Sequence, residues 1–132
     1  MNTLSSYLCG KWVGGEAPYR TLHNPTTGTV VAQASSKGID LGSAVTWART
    51  TGGPALRGLS FTARADLLDQ AAKAINDHRE ALIDLALENG GNTRKDAKFD
   101  IDGATATLAY YARLGRELGD KTYLEDGEPI RL

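Results

Sequence analysis

The sequence predicts an α+β fold that is mostly helical: an N-terminal β-hairpin or meander followed by three helices. Residues 60–89, SFTARADLLDQAAKAINDHREALIDLALEN, contain no Gly or Pro, and their apolar positions recur every three or four residues. Residues 7–34 consist instead of short β-rich runs separated by Gly and Pro turns. A further helical pattern covers residues 93–118 and closes on Gly119.

The chain has 132 residues, one domain's worth, which at this size buries about two thirds of its unfolded surface. Its net charge is −1, so neither sign dominates and nothing favours nucleic acid or an anionic membrane as partner. The apolar runs are too short to span a bilayer. MNTLSSYLCGKW lacks the basic flank and apolar run of a signal peptide. Cys9 stands alone, which excludes an internal disulfide and suits a reducing compartment, most simply the cytoplasm.

Tyr7–Val13 is rich in residues that favour strands, and Gly14-Gly15 offers the positive φ of a turn. Tyr19–Leu22 reads as a second strand. The turn Asn24-Pro25-Thr26-Thr27-Gly28 then leads to a third, Thr29–Ala34. A first helix spans about 40–50. Asp40 caps it, Ile39 staples onto Ala44, and Leu41, Ala44, Val45 and Ala48 form its apolar face. Thr51-Gly52-Gly53-Pro54 is expected to end it, leaving Ala55–Gly58 as a connector.

The second helix, 60–89, starts at the cap Ser60 and stops at Asn89-Gly90-Gly91. Its stripe is Phe61, Ala65, Leu68, Ala72, Ile75, Leu82, Ile83 and Ala86, broken only at His78 and Arg79. This helix is expected to be the spine on which the hairpin and the other helices pack. The third, 93–118, presents Ala97, Ile101, Ala104, Leu108, Tyr111, Leu114 and Leu118, and Gly103 within it suggests a close helix contact. Trp12 and Trp47 read as core aromatics under the hairpin. The tail, 119–132, is polar and stops where a strand would begin, so the chain reads as cut rather than finished.

No motif assigns chemistry by itself. Gly53–Ser60 has the glycine spacing of a phosphate-binding loop, but Leu59 stands where its lysine must be and no apolar strand leads in. Asp100-Ile101-Asp102-Gly103 has part of a calcium loop's pattern, with Lys98 in the first ligand position and Ala109 in the last. Glu80, Asp84 and Glu88 lie one turn apart and could ligate a metal, although such a face is usually a solvated one. His23 and His78 have no ligand partner at helical spacing. Cys9, in a strand-like stretch, reads as a buried structural thiol. The chain has no G-x-G-x-x-G, C-x-x-C or G-x-S-x-G.

The order of these pieces resembles the N-terminal part of the aldehyde dehydrogenase superfamily. Leu8–Val13 and Asn24–Val31 resemble its opening strands and Asn-Pro-x-x-Gly turn; Asp40–Ala48 and Arg64–Leu85 resemble its first two helices. Tyr110-Tyr111-Ala112 is similar to the tyrosine pair that ends the third. Gly52–Arg57, Asp100–Gly103 and Leu108–Gly115 resemble the dehydrogenases that act on CoA-linked semialdehydes in aerobic phenylacetate and benzoate breakdown, some of them fused to a hydratase. The resemblance covers about Tyr7 to Leu132, only the start of the family's length.

It implies an NAD or NADP cofactor, a cysteine nucleophile and a glutamate that activates water, all downstream of this chain. Cys9 matches the family's hairpin and not its nucleophile. No catalytic, cofactor-binding or metal-binding residue carries over to any position here. The implied role is therefore an N-terminal structural segment that is not catalytic by itself, its partner being the remainder of the dehydrogenase or a second copy. The alternative is a non-catalytic helical interaction or oligomerisation module.

Overall fold

The structure, a computed structural model, describes residues 1–124. Its first element is a tight hairpin: β1 (Ser5–Leu8) pairs antiparallel with β2 (Lys11–Gly14). The turn is Cys9-Gly10, with φ of 51° and 79°, the left-handed pair that matches the twist of the flanking strands. The single strand expected over Tyr7–Val13 is thus a whole hairpin, and Cys9 lies in its turn. Gly14 and Gly15 are not in the left-handed region. Gly15 instead lets the chain pass against the Ser35 carbonyl, where a Cβ would collide.

β3 (Arg20–His23) pairs antiparallel with β4 (Val30–Ala34), with an irregularity between Leu22 and His23. Their turn is the one the sequence predicts. The Asn24 Oδ1 accepts from the amides of Thr26 (2.9 Å) and Thr27 (3.1 Å), and Gly28 takes φ 72°. The four strands form two separate two-stranded sheets rather than one meander. The N-terminus runs parallel beside β4, with Leu4 N–H donating to the Gln33 carbonyl and Gln33 N–H to that of Asn2 (both 2.9 Å).

Asp40 caps α1 (Leu41–Trp47) as expected, accepting from the Ser43 amide at 2.9 Å and its hydroxyl at 2.6 Å. These two bonds hold the Asp40 carboxyl below its ordinary range. The helix does not stop near Thr50. A wide π turn over Ala48–Gly52 carries it into α2 (Gly53–Arg57). Gly52 and Gly53 both adopt right-handed helical angles. Pro54 follows directly on that wide turn, where the helical bond ladder is already interrupted. Thr46 and Thr50 hydroxyls bond back to the carbonyls of Gly42 and Thr46, a pattern that bends helices.

The predicted helix 60–89 is two helices, α3 (Phe61–Asp77) and α4 (Arg79–Gly90). They meet at His78, whose φ of −107° and ψ of 14° lie outside the helical region. This is the turn at which the apolar stripe lapses. Gly91 ends α4 at φ 68°, and an added Cβ would come within 2.7 Å of the Pro25 Cγ, so conformation and contact both require glycine. The longest element is α5 (Arg94–Leu118), capped by Thr93. Both α3 and α4 pack on α5, so α5 is the spine. Neither sheet packs extensively on a helix.

The stripe itself holds. Ala65 and Ile83 are buried and its other members half-buried, with Ala97 and Ala112 of α5 completing the helical core. A Cβ added at Gly103 would meet nothing within 4 Å; the close helix approach is at Gly115, opposite Ala65 and Phe61. The predicted core aromatics are on the surface: Trp12 is 72% exposed, stacked edge-on with Tyr7, and Trp47 is 41% exposed. The α1 face is uncovered too, with Leu41 and Val45 both more than half exposed. The tail is described only to Leu124; the strand expected at its end lies outside the described residues.

Candidate functional site

The helix entry that resembles a phosphate loop is closed. The four amides at the start of α3 all have acceptors: Phe61 donates to the Lys121 carbonyl (2.8 Å), Thr62 to Gly119 (3.1 Å), Ala63 to the Ser60 hydroxyl (3.1 Å) and Arg64 to the Ser60 carbonyl (3.0 Å). A helix start attracts anions through unpaired N–H groups, and here none of these four is left. These four amides are therefore not available to a phosphate.

Arg64 sits one residue from buried Ala65 and carries no motif, so nothing in its sequence context singles it out. Its Nε donates to the carbonyls of Leu56 (3.0 Å) and Leu59 (3.1 Å), its Nη2 to those of Thr122 (2.7 Å) and Arg57 (3.4 Å). The guanidinium lies 5.0 Å from the centre of the Phe61 ring. Beside it, an open apolar groove of about 350 Å³ runs between α3 and α5, floored by Ala65 and Gly115 and walled by Phe61, Leu68, Tyr111 and Leu114.

The acidic face of α4 is not simply solvated. Glu80 and Asp84 both pair with Arg94 of α5, Asp84 at 2.7 Å. Arg79 meets Asp102 of α5 with two bonds, at 2.6 and 2.8 Å, and also pairs with Glu80. Asp102 is thus the α5 half of a bidentate ion pair, in keeping with a segment whose Lys98 and Ala109 exclude a calcium loop. Among the described residues no group of three or more His, Cys, Asp or Glu side chains is placed to hold a metal.

Hydrogen bonding to Arg79 holds the Asp102 carboxyl below its ordinary range; hydrogen bonding to Asp84 and to Asp102 raises Arg94 and Arg79 respectively. The carboxylate's contribution to stability is present above its ordinary pKa of 3.8 and is lost as pH falls through the lower folded value. The arginines stay charged at every pH below their ordinary range, so only the carboxylate side titrates in mild acid. Asp102→Asn is expected to lower the melting temperature at pH 7 in dilute buffer, and the deficit is expected to shrink towards pH 3 and in high salt. Thermal denaturation across that range measures it. A deficit independent of both pH and salt would exclude the ion pair as its cause.

The remaining candidate residues make local contacts. His23 Nδ1 lies 3.1 Å from the Gly28 carbonyl within the β3–β4 turn, and His78 Nδ1 lies 3.0 Å from the Ala74 carbonyl at the α3–α4 break. Cys9 is half-buried in a shallow recess with Lys11 and Asp40, its Sγ 3.9 Å from the Ser43 carbonyl. Tyr110 and Tyr111 meet edge-on at 5.4 Å between centroids, with Arg113 over Tyr110.

Known proteins share this arrangement. The crystal structure of a NAD-dependent benzaldehyde dehydrogenase from Corynebacterium glutamicum superposes with a TM-score of 0.73 over 83% of this chain and 24% of its own, at 23% identity, which establishes the fold. The 3,4-dehydroadipyl-CoA semialdehyde dehydrogenase of Aromatoleum evansii is 39% identical over 129 residues, 98% of this chain and 25% of that protein. The D-glyceraldehyde dehydrogenase (NADP(+)) of Thermoplasma acidophilum is 26% identical over 121 residues, 85% of this chain and 23% of that protein. The chain thus spans about a quarter of the length of these relatives. Two hairpins and a helical layer correspond to the N-terminal part of the benzaldehyde dehydrogenase fold. Since the pattern of the aldehyde dehydrogenase family matches residues 12–130, nearly the whole sequence, the chain belongs to that family.

Proposed function

We propose that this chain is the N-terminal structural segment of an NAD(P)-dependent dehydrogenase that oxidises a CoA-linked semialdehyde in aromatic-acid breakdown, and that it carries no catalytic residue itself. The observation behind this reading is the 39% identity, over 98% of the chain, to the Aromatoleum evansii semialdehyde dehydrogenase. The nucleophilic cysteine, the glutamate base and the NAD or NADP site then belong to the remainder of a longer protein. That remainder is the partner for which the uncovered side chains of α1 and α2, Leu41, Val45, Trp47 and Leu56, are suited. A cytoplasmic location agrees with the single thiol, and among the described residues no helix is long and apolar enough to cross a membrane.

The test has two arms. A chain continuing through the family's full length is expected to reduce NAD or NADP with a CoA-linked semialdehyde. The 132-residue chain alone is expected to form no NADH or NADPH with the same substrate. Turnover by the isolated chain would overturn the structural role, and an inactive full-length protein would overturn the substrate class.

The same uncovered faces favour a second reading, a helical module that self-associates. Sedimentation of the isolated chain separates the two: a monodisperse monomer at high concentration rules out the second.

A further inference from the structure

We propose that Arg64 is a latch that couples two distant segments of the chain, the α2–α3 connector and the segment that follows α5. The C-terminal end of α2 supplies the carbonyls of Leu56 and Arg57, the connector that of Leu59, and the other segment that of Thr122, 58 residues from Arg64 in sequence. One guanidinium holds both. The amides of Phe61 and Thr62 hold the second segment from behind, through the carbonyls of Lys121 and Gly119.

The arrangement requires arginine. Four carbonyls meet the guanidinium, two at Nε and two at Nη2, and a planar fork with five N–H donors can serve them all while its face lies over Phe61. A lysine ammonium has three donors on one atom and cannot serve all four carbonyls. Release of Thr122 removes an acceptor that orients the guanidinium toward the end of α2, and displacement of the end of α2 does the same for Thr122. This coupling concerns the chain itself and stands independently of the catalytic reading.

Two tryptic sites report on it directly. The Arg57 carbonyl, scissile in cleavage after Arg57, accepts from Arg64 Nη2, and the Lys121 carbonyl, scissile in cleavage after Lys121, accepts from Phe61 N–H. Limited trypsin digestion of the full chain, read by mass spectrometry, compares these with Lys73 and Arg113, which lie inside α3 and α5. In R64A, cleavage after Arg57 and after Lys121 is expected to rise together by about tenfold or more relative to the two helical sites, because local cleavage follows the population of the open form. R64K is expected to raise both by a smaller factor, since its ammonium keeps some of the four carbonyl contacts and loses the others. A rise at only one of the two sites, or at neither, overturns the coupling. If R64A unfolds and all four sites are cut alike, R64K decides; a uniform rise there as well overturns the proposal, because Arg64 then supports the whole fold rather than the two segments.

Discussion

Replacing Ile83 by Ala is expected to remove about 2–5 kcal/mol of stability, the usual cost of deleting a large aliphatic side chain from a packed site. Ile83 is fully buried, and it is the one large side chain among the described residues with no accessible surface. The other buried positions are alanines: Ala32, Ala65, Ala97 and Ala112. A core built around small residues gains little from each of them and depends on its few large ones. Typical domains are stable by only about 5–15 kcal/mol, and a chain with so thin a core belongs at the low end of that range. Ile83→Ala is therefore expected to leave a substantial unfolded population at room temperature, whereas Ile83→Val costs about 0.5–1.5 kcal/mol. Urea titration followed by circular dichroism measures both. An Ile83→Ala midpoint close to that of the parent chain would show that the site is not a packed core position.

That core is partly legible in the sequence. The period of three and four between Phe61 and Ala86 predicts which face of α3 and α4 turns inward, because the pattern comes from burial itself. The lapse at His78 and Arg79 marks the break between the two helices, but a lapse in a stripe does not distinguish a break from an exposed turn of one helix. Gly52-Gly53-Pro54 misleads in the opposite direction. Its composition signals a stop, yet each glycine can take helical angles, and the π turn just before Pro54 already interrupts the ladder to which a proline cannot donate. Trp12 and Trp47 mislead because composition says what is apolar and not what covers it.

The α4–α5 ion pairs and the Arg64 latch are hidden for different reasons. Arg79 with Asp102, and Arg94 with Glu80 and Asp84, depend on how two helices are laid side by side, which the sequence of neither reveals. Arg64 binds main-chain carbonyls, and a carbonyl has no residue type by which to recognise it. The family resemblance, in contrast, is legible because it rests on the order of many weak features along the whole chain, and the match over residues 12–130 bears it out.

Two glycines in α5 predict opposite responses to the same substitution. A Cβ at Gly115 would stand 3.2 Å from the Ala65 Cβ and 3.3 Å from the Phe61 carbonyl, so this is where α3 and α5 come closest. A Cβ at Gly103 would meet nothing within 4 Å. Alanine in place of glycine within a helix gains about 0.8–1 kcal/mol in helix propensity. At Gly103 that gain has nothing to offset it, and Gly103→Ala is expected to stabilise by roughly that amount. At Gly115 the added methyl presses on a backbone carbonyl and a buried alanine, and overpacking of about 1–3 kcal/mol cancels or exceeds the gain. Gly115→Leu is expected to cost more than about 3 kcal/mol, because a branched side chain cannot enter without separating the two helices. The separation would also shift the Phe61 end of α3, where the carbonyls of Gly119 and Lys121 are bound, so the segment after α5 is expected to lose protection along with the helix pair. Chemical denaturation of the three variants, with hydrogen exchange at the amides of Phe61 and Thr62, tests both parts. Equal shifts for Gly103→Ala and Gly115→Ala would mean that α3 and α5 do not meet at Gly115.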